Sequence, residues 1–265
     1  MIRDIRIDGG KGFDWGKASL DYAKYRDVYP TTFFYKIVGE KLCVGEQRVL
    51  DVGTGTGVIP RNLYEYGACF TGTDISEGQV AMAKELSVNG GMDIDFRCVA
   101  TEDIDFDDNS FDVISACQCF FYFKHDVVAP KFYRLLKPGG KLLILYMAWL
   151  PFEDDIAAGS EKLVLKYNPK WSGKEETRHN IHIPEKYLDY FDVRSEEVYD
   201  VLVPFTRESW NGRMRACRGI GASLSEKDVE AFDEEHIEML RNAPAEFDVL
   251  HYVGMTVLSS KKCSE

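Results

Sequence analysis

Val49-Leu50-Asp51-Val52-Gly53-Thr54-Gly55-Thr56-Gly57 is the stretch whose reading decides the fold. An apolar strand pattern at 48–52 runs into three glycines, and a helical pattern follows at 59–66. Glycines at a strand-to-helix turn allow positive φ and let a ligand lie against the backbone. Dinucleotide sites and plain tight turns share that outline, so the spacing matters. Here it is Gly-x-Gly-x-Gly, not the Gly-x-Gly-x-x-Gly of dinucleotide enzymes. Asp51 precedes the first glycine, and a second acid, Asp74, ends the next strand pattern in Gly72-Thr73-Asp74-Ile75-Ser76. A carboxylate there can accept both hydroxyls of a ribose. In an open parallel sheet, ligands sit beyond the carboxyl ends of the strands, where both features fall.

Outward from this loop, strands and helices alternate. Strand patterns at 69–74, 94–99, 111–116 and 141–147 are separated by helical ones at 77–89, with Ser76 as N-cap, and at 127–136, stopped by Pro138-Gly139-Gly140. Apolar strands alternating with helices imply a parallel sheet covered on both faces. Upstream, helices are expected at 19–29, ended by Pro30, and at 32–42. Downstream, 151–184 is long, polar and aromatic, with turn signals at Asn168-Pro169 and Ser172-Gly173, and reads as an inserted cap and not a core element. Strands at 193–203 and 247–258 and helices at 207–219 and 226–241 follow; the two late strands suit a hairpin-like edge. The expected fold is a doubly wound, mostly parallel Rossmann-like α/β sheet with a helical cap.

Composition narrows the function classes. At 265 residues the chain can bury a full core without disulfides or metal. A net charge of -12 argues against a nucleic-acid partner, which needs clustered Lys and Arg, and against anionic membranes. The seven cysteines form no CxxC pair, which suggests reduced thiols. The opening Met1-Ile2-Arg3-Asp4-Ile5-Arg6 lacks a signal-peptide apolar region, and the longest apolar run, 142–152, is short of the ~20 residues of a membrane span. A cytoplasmic location is expected; the oligomeric state stays open.

Over most of residues 19–147 the chain resembles the class I S-adenosylmethionine-dependent methyltransferases. Their acid-x-Gly-x-Gly-x-Gly pattern matches Asp51 to Gly57, and their ribose-binding acid matches Asp74. Ala100-Thr101-Glu102-Asp103-Ile104 followed by Asp108-Asn109-Ser110-Phe111-Asp112 is similar to the segment that contacts adenine, with Ala100 standing where many relatives carry an acid. Leu136-Lys137-Pro138-Gly139-Gly140 matches the family's turn before strand five. The resemblance implies the seven-stranded sheet of that family with its last strand antiparallel. It implies S-adenosylmethionine as cofactor, S-adenosylhomocysteine as product, and cofactor contacts from Asp51, Gly53, Thr54, Gly55, Asp74, Ile75, Gln79, Thr101, Glu102 and Cys117. It also divides the chain into a helical segment covering the cofactor (1–45), a cofactor-binding core (46–150), a substrate cap (151–190) and a part completing the sheet with substrate-side helices (191–265).

Tyr22-Ala23-Lys24-Tyr25-Arg26-Asp27-Val28-Tyr29-Pro30 resembles the Tyr-x-x-Tyr-Arg-x-x-Tyr-Pro opening of a small-molecule subset of that family. Aromatic faces can stabilise a sulfonium and a guanidinium can bind a carboxylate, the tasks assigned to Tyr25 and Arg26. An aromatic packing stripe accounts equally well for tyrosines at helical spacing. Methyl transfer needs chiefly alignment and a dry pocket, and no obligatory base is visible. Acceptor-side candidates are Cys117, Gln118, Trp149, His182 and Arg213, with Cys119, Trp171, His179, Tyr187 and Arg218 beside them. Pro204 to Arg213 resembles the substrate-side strand and helix of relatives that methylate small carboxylic acids, so Arg213 or Arg218 would hold an anionic small-molecule acceptor. Cys117 and Cys119, with Cys217, suit either a soft-metalloid site or inert core thiols. His179 and His182 lack metal-site spacing, and no metal is expected. The alternatives are an S-adenosylmethionine-binding protein without turnover and a nicotinamide-dependent oxidoreductase on a similar fold.

Overall fold

A computed structural model describes residues 2–262; Met1, Ser264, Glu265 and Cys263, one of the seven cysteines, lie outside the described residues. In chain order the elements are α1 (Ser19–Tyr25), α2 (Thr31–Gly39), β1 (Arg48–Val52), α3 (Val58–Leu63), β2 (Cys69–Asp74), α4 (Glu77–Asn89), β3 (Asp95–Cys98) and β4 (Phe111–Cys117). They continue with α5 (His125–Leu135), β5 (Leu136–Trp149), α6 (Asp155–Tyr167), α7 (Glu185–Leu188), β6 (Phe191–Thr206), α8 (Arg207–Arg215), α9 (Glu226–Leu240) and β7 (Glu246–Ser260). The strands form one seven-stranded sheet in the order β3-β2-β1-β4-β5-β7-β6. The sheet is mostly parallel with one antiparallel pair, as the strand–helix alternation and the family resemblance imply.

β1 sits at the centre because its side chains are apolar on both faces: Val49, Leu50 and Val52 are fully buried. Its parallel register sets Asp51 beside Gly72 of β2 and Ser115 of β4. That alignment brings the glycine loop, the end of β2 and the end of β4 to one rim of the sheet.

The chain separates into two compact units, interleaved in sequence. One consists of Pro30–Met147, His179–Tyr199 and Val253–Glu265. Its core joins Leu50, Ile114, Phe132 and Leu142 to Tyr187 and Phe191. The other consists of Met1–Tyr29, Ala148–Arg178 and Asp200–Tyr252. In it α1 packs on α8, and α9 packs on both α6 and α8. Among the described residues no helix is long and apolar enough to cross a membrane.

Four local expectations change. The helix expected over 19–29 ends at Tyr25, with the Arg26 N–H bonding Tyr22 O at 3.0 Å. Pro30 disfavours helical backbone at Tyr29, so Tyr29 leaves the helical tyrosine stripe. Pro138-Gly139-Gly140 does not stop α5, which ends earlier; it lies within β5. There the register jumps from Phe111↔Leu136 to Val113↔Lys141, and Gly139 takes φ 72°, so the turn is an irregularity inside the strand. Residues 151–184 are not merely a polar cap, because α6 lies within them and buries Ala157, Ser160 and Val164. Ser76 stands at the N-cap of α4 but its side chain makes no capping bond; Asp74 binds its N–H instead.

Candidate functional site

The glycine loop adopts the backbone its sequence requires. Gly53, Gly55 and Gly57 have φ of 61°, 56° and 76°, the left-handed region that side chains resist. The loop is also tightly packed. A Cβ on Gly53 would lie 2.6 Å from the Cβ of Cys119, and one on Gly57 would lie 2.7 Å from the Phe96 ring. Thr54 N–H donates to Thr73 O at 2.9 Å, which ties the loop to the end of β2. Gly53→Ala is expected to cost about 2 kcal/mol through backbone strain alone, before the Cys119 contact is counted. Chemical denaturation measures it, and Cys119→Gly in the same chain should recover only the contact part.

Asp74 is anchored by the loop and by α4. Its Oδ2 accepts from Gly55 N–H at 2.9 Å and its Oδ1 from Ser76 N–H at 2.8 Å. Burial raises its carboxyl above the usual range, and these amide bonds oppose the rise. Each oxygen keeps a second lone pair, which suits two neighbouring hydroxyls. Next to it Ile75 is 56% exposed, an apolar side chain left open beside a held carboxylate. Gln79, one turn into α4, is buried.

Asp51 is 1% exposed and accepts from Ser115 Oγ at 2.6 Å. Burial pushes its carboxyl up to about 7, against the hydroxyls of Ser115 and Thr54 and with the charge of Asp74 adding to the rise. Thr101 is buried at the start of a short turn, Thr101–Asp103. Glu102 Oε1 accepts from Lys124 N–H at 2.9 Å, which leaves its carboxylate partly engaged. Cys117 closes β4, and Gln118 follows with φ 64°, its N–H on Leu145 O at 2.9 Å and its amide on Met147 O at 2.6 Å. A non-glycine residue held in that region marks a strained strand end. The structure thus gathers Asp51, Gly53, Thr54, Gly55, Asp74, Ile75, Gln79, Thr101, Glu102, Cys117 and Gln118 in one unit, about the carboxyl ends of β1, β2 and β4 and the segments that follow them.

Other candidates have different surroundings. Tyr25 and Arg26 belong to the unit that contains α8. The Tyr25 hydroxyl donates to Glu208 at 3.0 Å, its ring covers Gly212, and Arg26 lies 4.6 Å over the Tyr22 ring. Trp171 and Tyr187 are core side chains. His182 and His179 are exposed, with the His179 Nδ1 within 2.8 Å of Asn180 O. Arg218 is held by Asp8, with the guanidinium Nε 3.0 Å from Oδ2 and Nη2 3.0 Å from Oδ1, so it is no anion holder. The soft-metalloid reading loses its chemistry: Cys119 Sγ donates to Val52 O at 3.0 Å, and burial holds this thiol and that of Cys217 protonated. Among the described residues no three His, Cys, Asp or Glu side chains gather as a metal site.

Arg213 of α8 differs from its neighbours. It is 5% exposed, and its Nε and Nη1 have no hydrogen-bond partner among the described residues. Its guanidinium lies 5.2 Å from the Trp149 ring centroid, and burial, followed by the charge of Arg26, pushes its pKa down. Trp149 is itself buried, its indole N–H on Glu161 at 3.1 Å. His251, which the sequence marks only as a position within the strand expected at 247–258, lies in the same unit.

Comparison with known proteins points to methyltransferases. Residues 50–144 match the methyltransferase domain family. The chain is 25% identical over 193 residues to a ubiquinone biosynthesis O-methyltransferase of Pseudomonas entomophila, covering 71% of this chain and 80% of that protein. A protein of the same name from Bradyrhizobium diazoefficiens is 31% identical over 177 residues, covering 63% of this chain and 66% of that one. In fold the chain resembles a putative methyltransferase of Bacillus halodurans, with TM-score 0.53 at 15% identity over 85% of this chain and 97% of the other. The sheet order, the glycine loop with its two acids and these relatives agree, and the chain is an S-adenosylmethionine-dependent methyltransferase of the class I fold.

Proposed function

We propose that the chain moves the methyl group of S-adenosylmethionine to an oxygen of a small-molecule acceptor that carries an anionic group. The observation that carries the acceptor half is Arg213: a buried guanidinium with two unpartnered nitrogens is costly unless an anion completes it. An oxygen as the methylated atom is supported by the O-methyltransferase names of the relatives.

The cofactor half rests on the fit of the β1–β2 rim. The glycine loop is held in a left-handed backbone packed against Cys119 and Phe96, Asp74 offers a fixed carboxylate for the ribose hydroxyls, and exposed Ile75 offers an apolar face for adenine. Thr101 and Glu102 would border the adenine, and Gln79 and Cys117 would line the same rim. When bound, S-adenosylmethionine supplies a methyl group on a positively charged sulfur, so the leaving group needs no acid. The protein's part is then to align the acceptor and exclude water.

Titration with S-adenosylmethionine and with NAD tests the first half; NAD binding without any response to S-adenosylmethionine would overturn it. Labelled methyl transfer into a metabolite extract tests the second, and label appearing only in macromolecules would end the small-molecule reading. Asp74→Ala should weaken S-adenosylhomocysteine binding by ~1–3 kcal/mol, the cost of lost hydrogen bonds to a charged group, read by calorimetry. Unchanged affinity would remove Asp74 from the site.

A further inference from the structure

His251 is fully buried in β7, and its Nδ1 lies 2.9 Å from Val249 O. A carbonyl only accepts, so Nδ1 carries the ring proton and Nε2 is left as a lone-pair acceptor. Nε2 is buried and has no hydrogen-bond partner among the described residues. Burial drives the imidazole pKa down to about 3, and the charge of Arg213 pushes the same way, so the ring stays neutral near pH 7.

Trp149 links this orphan acceptor to the orphan donors. Its ring centroid is 5.2 Å from the Arg213 guanidinium and 6.5 Å from the His251 ring, which stands perpendicular to it. Phe205 stacks on His251 at 6.2 Å and Trp210 meets it edge-on at 6.3 Å, so imidazole orientation is fixed by packing. A buried donor and a buried acceptor, both unpaired, each carry an uncompensated cost.

We propose that Arg213 and His251 together select the acceptor, a hydroxylated carboxylic acid whose carboxylate meets Arg213 and whose hydroxyl donates to His251 Nε2. This rests on the anionic-acceptor reading above and narrows it. A carboxylate alone satisfies the arginine and leaves Nε2 unpaired; a neutral alcohol does the reverse. A site built to bond a hydroxyl discriminates strongly against the analogue that lacks it.

Matched probe pairs test this, 2-hydroxybenzoate against benzoate and lactate against propionate, each added to the full chain saturated with S-adenosylhomocysteine. The chain has only five histidines, so their ring nitrogens are resolvable by nitrogen-15 NMR, with His251→Phe assigning the signal. The expected result is at least ten-fold tighter binding of a hydroxy acid than of its deoxy partner, with the His251 Nε2 resonance moving only for the hydroxy acid. His251→Phe should erase the preference and keep the deoxy affinity. Equal binding within every pair with an unmoved Nε2 signal would overturn the role of His251 while leaving Arg213 in place. Absence of binding by all four acids would overturn the whole acceptor site, and S-adenosylhomocysteine binding, measured first, would still report on the methyltransferase reading.

Discussion

Asp8→Ala is expected to lower stability by about 3–5 kcal/mol, the range for removing one partner of a buried ion pair. The Asp8 side chain is fully buried: its Oδ1 accepts from Ser172 N–H at 2.7 Å, Ser172 Oγ at 2.9 Å and Arg218 Nη2 at 3.0 Å, and its Oδ2 lies 3.0 Å from Arg218 Nε as an ion pair. Arg218 is itself only 12% exposed in its side chain, so the alanine variant takes the paired carboxylate away from a cation in a site that water reaches poorly. The bond set also joins three distant stretches of chain, since Lys11 Nζ reaches Asn168 at 3.3 Å and Asn168 reaches Gly219 O at 2.9 Å. In thermal unfolding the loss should appear as a fall of roughly 10 °C for a chain of this size. Arg218→Met added to Asp8→Ala should recover part of it, because the buried charge is then gone. Equal stability of the single and double variants would show that the charge pairing contributes nothing beyond the hydrogen bonds to Ser172.

This anchor also shows where sequence reading stops. Asp51, the three glycines and Asp74 are local: strand, turn and strand follow within one supersecondary unit, so their order along the chain predicts their meeting in space. The sheet followed from the same logic, because apolar runs between helices must stack as buried parallel strands. Asp8 and Arg218 meet across 210 residues, and nothing in either neighbourhood signals the other. Arg213 and Arg218 looked interchangeable as anion holders in sequence. Only folding separates them, giving one a carboxylate and the other none among the described residues. Ser115 was readable in principle, since parallel register sets it opposite Asp51. His251 was not, because its burial and its tautomer depend on the Val249 carbonyl and three aromatic rings. Pro138-Gly139-Gly140 was read as a stop because its residues favour turns; the strand instead absorbs it as an irregularity.

Arg213→Met is expected to reduce kcat/KM for an anionic acceptor by ~2–5 kcal/mol, about 30- to 4,000-fold, as expected for removing one partner of a buried, hydrogen-bonded charge pair. Stability should move the other way. The folded protein holds this guanidinium at 5% exposure with two nitrogens unbonded among the described residues, a desolvation cost that the Trp149 face offsets by about 2 kcal/mol. Methionine fills similar space, keeps the apolar contact with Trp149 and carries no charge, so the variant should unfold at an equal or higher temperature. A purely structural arginine would behave oppositely: its removal would lower the melting temperature and leave turnover largely intact. Binding of S-adenosylhomocysteine should be unchanged, since the glycine loop and Asp74 are untouched. Steady-state kinetics, thermal unfolding and calorimetry on the one variant therefore read three separate quantities. A lower melting temperature with full activity would return Arg213 to the scaffold and withdraw the anion from the acceptor. Reduced activity with a raised melting temperature would show that the protein keeps a destabilising charge in its interior for the ligand it binds.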